Sequence, residues 1–294
     1  MSRTPAVLPF VRNRQQTEKD IQTRVAAHQA RIAAAAARGE FDADNPPLVL
    51  LADGDSWFDY PLDGLLPKNT DILAQLPGLA VQEPFILNFA HHGDATTVEL
   101  GVTRQKRLVD AIHDSANGNI DAILFSGGGN DVVGEQFCIW LNDAASVGND
   151  PEQALSPTRL GAILSVIKAS YEDLILLREN ELPGVPIFTH GYDFAIPSGK
   201  GVCSVGPWLK PSLVFCGWHC PAPGTQIVRD ALVAFKQILL SLASNPGNAL
   251  VYIETQGTLR PSQWANELHP TPDGFKLVAG KFLNALRAKF PGRI

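Results

Sequence analysis

Residues 48–60 read Leu-Val-Leu-Leu-Ala-Asp-Gly-Asp-Ser-Trp-Phe-Asp-Tyr. The run 48–51 is short, apolar and unbroken, the pattern of a parallel-sheet strand covered on both faces, and small and ionisable residues follow it at once. The same pairing of apolar run and polar turn recurs at 85–87, 122–125, 185–188 and 250–253. Between these runs lie helical stretches near 97–114, 157–180 and 224–243, with a last one near 273–289. Strands alternating with helices of this length predict βαβ units. The expected fold class is therefore α/β: a three-layer α/β/α sandwich on a five-stranded parallel, flavodoxin-like sheet with helices on both faces.

Outward from this frame, Asn45-Pro46-Pro47 marks a turn before the first strand. Ahead of it, residues 15–38 read as a helix, the centre of an N-terminal helical extension over about 13–40. Ile21, Val25, Ile32 and Ala36 make one apolar stripe, with His28 interrupting it on the same face. Such a helix docks on its own domain or serves as an interface for a partner chain, and the pattern suits both. Residues 194–223 form a loop of about 30 residues holding Cys203, Trp208, Phe215, Trp218 and Cys220. A loop that long in a compact domain is usually a lid or binding loop, and its aromatics argue for order. No linker, repeat or low-complexity segment interrupts the chain, so one domain over residues 1–294 is expected.

The chain carries 24 basic and 30 acidic residues, a net charge of −6, with 45% hydrophobic and 18% charged residues. That is too apolar for a disordered chain. The acidic balance argues against nucleic acid or an anionic membrane surface as partner, since both need clustered Lys and Arg. No stretch approaches the roughly 18 apolar residues of a transmembrane helix. Residues 6–11 are apolar but broken by Pro9 and followed by the polar stretch 12–20, which does not read as a secretory signal; a cytoplasmic protein is the expectation. Four cysteines do not make a disulfide scaffold, and nothing in the chain indicates an oligomeric state.

In open parallel sheets, ligands bind beyond the carboxyl ends of the strands. Here those ends carry Asp53-Gly54-Asp55-Ser56, Asn88-Phe89-Ala90-His91-His92-Gly93-Asp94, Ser126-Gly127-Gly128-Gly129-Asn130-Asp131 and His190-Gly191-Tyr192-Asp193. Asn266-Glu267-Leu268-His269-Pro270 precedes the last helix. Ser56, in a Gly-containing turn, suits a nucleophile, and His269 can converge on it as its base. Attack on an ester carbonyl develops an oxyanion, for which the backbone N–H groups of Ser56 and Gly93 and the side-chain amide of Asn130 are candidate donors.

The blocks Gly54-Asp55-Ser56, Gly93, Gly129-Asn130-Asp131 and His269-Pro270, in that order, resemble the SGNH (GDSL-like) hydrolase superfamily. The resemblance spans roughly residues 48–290. It implies a serine hydrolase without a cofactor, with Ser56 as nucleophile, His269 as base, and Gly93 and Asn130 completing the oxyanion hole. It also implies a small-molecule, lipid or sugar ester as substrate, in the manner of an esterase, lipase or carbohydrate O-deacetylase. An acyltransferase using the same residues, or a catalytically impaired binding protein, are the alternatives.

One position departs from the family pattern, which places an Asp three residues before the His; this chain has Asn266 there and Glu267 beside it. Replacing the acid by Asn in a trypsin-type triad costs about 10⁴ in turnover, yet a Cys-His-Asn arrangement works elsewhere. Three readings stand: Asn266 orients His269, Glu267 turns in as the acid, or the site is impaired.

The same strand-end residues and the long loop admit other readings. Neither a dinucleotide-binding nor a P-loop glycine spacing is present, so Gly127–Gly129 gives no nucleotide site. His91, His92 and Asp94, with Asp53, Asp55 and Asn130, would suit a metal phosphoesterase, although adjacent histidines rarely face one ion. Cys203, Cys216 and Cys220, with His219, read as free thiols, as a disulfide pinning the loop, or as a zinc site. Trp57, Phe58, Tyr60, Trp208, Trp218 and Trp264 are candidates for an acyl- or sugar-binding surface around Ser56, or for core.

Overall fold

The computed structural model describes residues 9–42, 44–60, 71–134, 136–201 and 206–294. Five strands form one parallel sheet: β1 (Val49–Gly54), β2 (Phe85–Asn88), β3 (Ala122–Ser126), β4 (Ile187–His190) and β5 (Leu250–Ile253). Their order is β2-β1-β3-β4-β5, the flavodoxin-like arrangement. The interior strands β1 and β3 are buried at every residue, whereas the edge strands β2 and β5 alternate or are half-covered. That difference is why the interior strands read as unbroken apolar runs.

Six longer helices connect and flank the strands: α1 (Pro9–Ala37), α2 (Ile72–Leu79), α3 (Val102–His113), α4 (Pro157–Glu181), α5 (Pro221–Ala243) and α6 (Pro272–Lys289). Right-handed crossovers in this strand order put α3, α4 and α5 on one face and α2 on the other. The packing agrees, with α4 against both α3 and α5, and α6 against α2. Helix α1 lies along the edge strand β2. Covering an edge in this way removes a row of unpaired backbone groups from solvent. The buried apolar side chains, from Ile21 of α1 to Ile294, make one continuous cluster.

Several sequence expectations shift at the level of single elements. Strand β1 runs on through Asp53 and Gly54, which the apolar run alone excluded, and β4 begins two residues later than expected. The stretch 97–114 is two helices, Thr96–Glu99 and α3, parted at Leu100-Gly101. Helix α1 docks on its own sheet, but Ala35 rather than Ala36 is buried on the face of Ile21 and Ile32. His28 belongs to that face because its Nε2 lies 2.9 Å from the Asn117 carbonyl oxygen, which gives the buried ring a partner. The segment 194–223 is not an uninterrupted loop: it contains the helix Lys210–Phe215, and α5 already starts at Pro221.

Two features pin the carboxyl edge of β1. Gly54 has φ +142° and pairs with Ser126 of β3; a Cβ there would lie 2.2 Å from the Ser126 carbonyl oxygen. Only glycine permits that approach. Beyond it, the Asp55 N–H donates to the same oxygen at 2.8 Å, so the chain leaves the sheet in a fixed direction.

Below this edge the core is not purely apolar. Arg104 of α3 bridges Asp53, Asp94 and the Phe89 carbonyl, while Thr96 donates twice to Asp131. Glu99 is fully buried, and neither of its carboxyl oxygens has a partner among the described residues. Burial, reinforced by the nearby carboxylates of Asp55, Asp53, Asp131 and Asp94, pushes Glu99 well above its ordinary range. A carboxyl group whose folded pKa is raised contributes stability below its unfolded value, near 4.5, and loses that contribution as the pH climbs toward the folded value. Glu99→Gln removes the titration while keeping the shape. Its melting temperature relative to the parent should therefore rise by several degrees between about pH 5 and about pH 8, as read by thermal unfolding. A difference that stays flat over that window contradicts a strained Glu99.

Candidate active site

Ser56 follows the Gly54-Asp55 exit from β1, and His269 sits in the turn that leads into α6. The two are 213 residues apart in sequence, yet Ser56 Oγ lies 2.7 Å from His269 Nε2. Both residues are buried, Ser56 at 7% exposure and His269 at 5%. The turn closes through a bridge between Trp264 and Pro270 and through the Ala265 N–H donating to the His269 carbonyl at 2.9 Å.

Asn266 sits inside that turn. Its Oδ1 accepts from the backbone N–H groups of Leu268 at 3.0 Å and His269 at 2.9 Å, and lies 3.0 Å from His269 Nδ1. Backbone N–H groups only donate, so the atom facing them is the amide oxygen, and this fixes which way the side chain points. The Asn266 amide nitrogen in turn donates to the Tyr60 hydroxyl at 3.1 Å. With an acceptor opposite Nδ1, the ring carries its proton there, and the Nε2 lone pair faces Ser56 Oγ. Burial, with His92 adding to it, pushes the imidazole down to about 3, so it stays neutral across the physiological range.

Sequence reasoning did not find the support beneath Ser56. Asp55 is buried and accepts from Tyr192 OH at 2.6 Å, Ser126 Oγ at 2.8 Å and the Trp57 N–H at 3.0 Å. His190 Nδ1 accepts from the Tyr192 N–H at 3.2 Å, so its Nε2–H donates to Ser126 Oγ at 3.0 Å. The result is a directed chain, His190 to Ser126 to Asp55, that locks the turn carrying the serine. Burial raises Asp55 to about 6 despite these donors, and pushes His190 down to about 3. Tyr192 adopts φ +57°, unusual for a bulky residue, and its ring fills the space beside Gly129, where a Cβ would meet it at 2.6 Å. That left-handed backbone leaves no mark in the sequence.

The other expected site residues are placed less directly. Asn130 lines the same small cavity as Ser56, with Val133, Leu232, Trp264 and Leu268 as apolar walls. Its amide donates to the Asp94 carbonyl at 2.8 Å, which ties it to the turn containing Gly93 at φ +83°. Gly93 itself is exposed and lies outside that cavity's lining. The cavity is narrow, about 20 Å³. On the Asp94 side a separate groove of about 790 Å³ opens between α1 and the start of α3, lined by Thr17, His91, His92, Val102, Arg104 and Arg107 among others.

The remaining candidates divide. Glu267 is fully buried and turns away from His269: its carboxylate accepts from the backbone N–H groups of Gly199, Trp208, Leu209 and Lys210. Of the aromatics, Tyr60 and Trp208 pack on His269, with ring centroids 4.7 and 5.7 Å away, and Trp264 lines the Ser56 cavity. Trp57 lines that cavity too while packing into the core, Phe58 belongs to the core, and Trp218 donates to the Asn142 carbonyl away from the site. His91 and His92 stack on one another, with Asp94 and Asp59 each 3.5 Å from one of them. No group of three or more His, Cys, Asp or Glu among the described residues is arranged to hold a metal ion. Cys216 and Cys220 are free thiols, and Cys203 lies outside the described residues. Among the described residues no helix is long and apolar enough to cross a membrane.

No family model and no curated protein matches the chain. Among solved structures it is similar to the lipase/acylhydrolase from Enterococcus faecalis, at 12% identity over 82% of this chain and 97% of that one, with a TM-score of 0.45. It is also similar to an extracellular lipase from Streptomyces rimosus, at 16% identity over 80% and 98%, with a TM-score of 0.45. A third is a carbohydrate esterase family 3 protein from Talaromyces cellulolyticus, at 11% identity over 83% and 98%, with a TM-score of 0.41. The blocks that carry the resemblance to SGNH hydrolases all lie at the carboxyl edge of a sheet with the flavodoxin-like order.

Proposed function

We propose that the protein is a serine-dependent hydrolase of carboxylic esters whose catalytic groups are Ser56, His269 and Asn266. The observation that carries this reading is the unbroken chain from Ser56 Oγ through His269 to the Asn266 oxygen, with contacts of 2.7 and 3.0 Å. His269 Nε2 takes the Ser56 proton as Oγ attacks the ester carbonyl, and Asn266 holds the ring in the tautomer this requires. The tetrahedral oxyanion is received by the Ser56 N–H and the Asn130 amide, both on residues lining the cavity, with the Gly93 N–H joining them from the turn that Asn130 holds through the Asp94 carbonyl. His269 then returns the proton to the leaving alcohol. A water deprotonated by the same ring releases the acid from the acyl-enzyme. An amide stabilises the imidazolium less than a carboxylate, so the base is correctly poised but weak.

The narrow apolar cavity beside Ser56 favours a short acyl group. An acetyl ester therefore fits the site better than a long-chain one.

Two outcomes are expected from steady-state hydrolysis of a series of esters. Ser56→Ala loses at least about 10⁴ in turnover, and the parent prefers acetyl over octanoyl esters. Residual turnover near the parent level in that variant contradicts the serine mechanism; a preference for octanoyl contradicts the acyl-site reading. Asn266→Asp keeps or raises turnover, because the carboxylate's second oxygen can accept from Tyr60 OH where the amide donated to it. The acid limb of its pH profile moves upward, since a neighbouring anion favours imidazolium. Collapse of activity in a folded Asn266→Asp contradicts this account of Asn266.

A further inference from the structure

Glu267 is spent on a contact that the proposed chemistry does not use. Residues 264–270 form a tight turn in which neighbouring side chains face opposite ways: Asn266 inward to His269, Glu267 outward. Outward, Glu267 meets two pieces of chain that the fold otherwise leaves without strand or long-helix pairing. Its Oε1 accepts from Gly199 N–H at 2.8 Å and Lys210 N–H at 3.2 Å; its Oε2 accepts from Trp208 N–H at 2.6 Å and Leu209 N–H at 2.7 Å. The Glu267 N–H completes the clamp by donating to the Lys200 carbonyl at 3.2 Å. A buried carboxylate saturated by backbone donors is a strong, directional tie, and its loss leaves one buried and three part-buried N–H groups without this acceptor.

What the clamp holds is Trp208. The indole meets His269 edge to face, with centroids 5.7 Å apart and planes at 79°, on a ring whose other neighbours are Tyr60, Asn266 and Ser56. We infer that Glu267 is a positioning residue for the site: by gathering Gly199 and residues 208–210 onto one carboxylate, it sets the Trp208 indole against His269 and keeps water off the imidazole that activates Ser56. The inference rests on the reading of Ser56 and His269 given above. It accounts for a carboxylate next to the triad position that does not join the triad. Besides those neighbours, the His92 imidazole is the charged or titratable group bearing on His269, and it is on the opposite strand-end turn from Trp208.

The test uses the whole chain with Glu267→Gln, Trp208→Ala and the double variant. Glu267→Gln keeps the shape but turns an NH₂ toward two of the four donors. Amide hydrogen exchange at 208–210 should accelerate on the order of tenfold or more, with exchange in the central strands unchanged. In nitrogen-detected NMR titrations the His269 midpoint should move upward, toward the ordinary value near 6.5, in both single variants. The double variant should move it no further than Trp208→Ala alone, because Glu267 acts through Trp208. Faster exchange without a rise in the His269 midpoint reduces Glu267 to a loop anchor and overturns the inference. So does a Trp208→Ala protein, clamp intact, whose His269 titrates as in the parent, and this holds even if Glu267→Gln does not fold. The titration needs no turnover: an inactive parent would sink the ester-hydrolase reading while the His269 shift still decides the role of Glu267.

Discussion

The amide oxygen of Asn266 is the point on which the site turns. It receives two backbone N–H groups from its own turn and faces His269 Nδ1, so one atom both folds the turn and chooses the tautomer of the ring. An Asn in place of the acid is damaging in a trypsin-type triad because the amide lets the ring adopt the wrong tautomer. Here the backbone donors and the Tyr60 hydroxyl hold the amide so that its oxygen, not its nitrogen, meets the ring. The orientation half of the acid's work is thereby retained; the charge half is not. A neutral, dry imidazole without an anionic partner is the consequence, and burial drives its pKa in the same direction.

The rest of the carboxyl edge is built to keep this arrangement rigid. Gly54 lets β1 approach β3 closely enough for Asp55 to leave the sheet at a fixed angle. Asp55 is then held by Tyr192, Ser126 and Trp57, and His190 closes that network from β4. Fully satisfied buried networks of this kind specify one geometry, whereas a partly satisfied one is costly. Glu99, without a partner among the described residues, is the cost that remains visible, since burial and its acidic neighbours favour its uncharged form.

Much of the frame was legible in the chain because of its physics. Strands buried on both faces are largely apolar, so five short apolar runs located five strands to within about three residues at either end. Helix α2 escaped notice because it is short and contains Pro77, which breaks the usual helical pattern. Leu100-Gly101 parts the stretch before α3 through backbone geometry that no periodicity reports. Ser56, His269 and Asn266 could be picked out because their side chains act on one another. The role of Glu267 could not, because its partners are backbone amides of Gly199 and residues 208–210, and every residue but proline carries one. Tyr60 could be picked out only as a binding-surface aromatic and Tyr192 only as a strand-end residue; the fold alone shows their hydroxyls engaged with Asn266 and Asp55.

The central claim, an activated Ser56 served by a neutral His269, is tested most directly by intact-mass measurement of fluorophosphonate labelling across pH. The account predicts a single adduct on the native chain, none on Ser56→Ala, and a labelling rate that holds from about pH 8 down to about pH 5, because the imidazole stays unprotonated there. No adduct, or a rate that falls away as the pH passes the ordinary histidine value near 6.5, would contradict it.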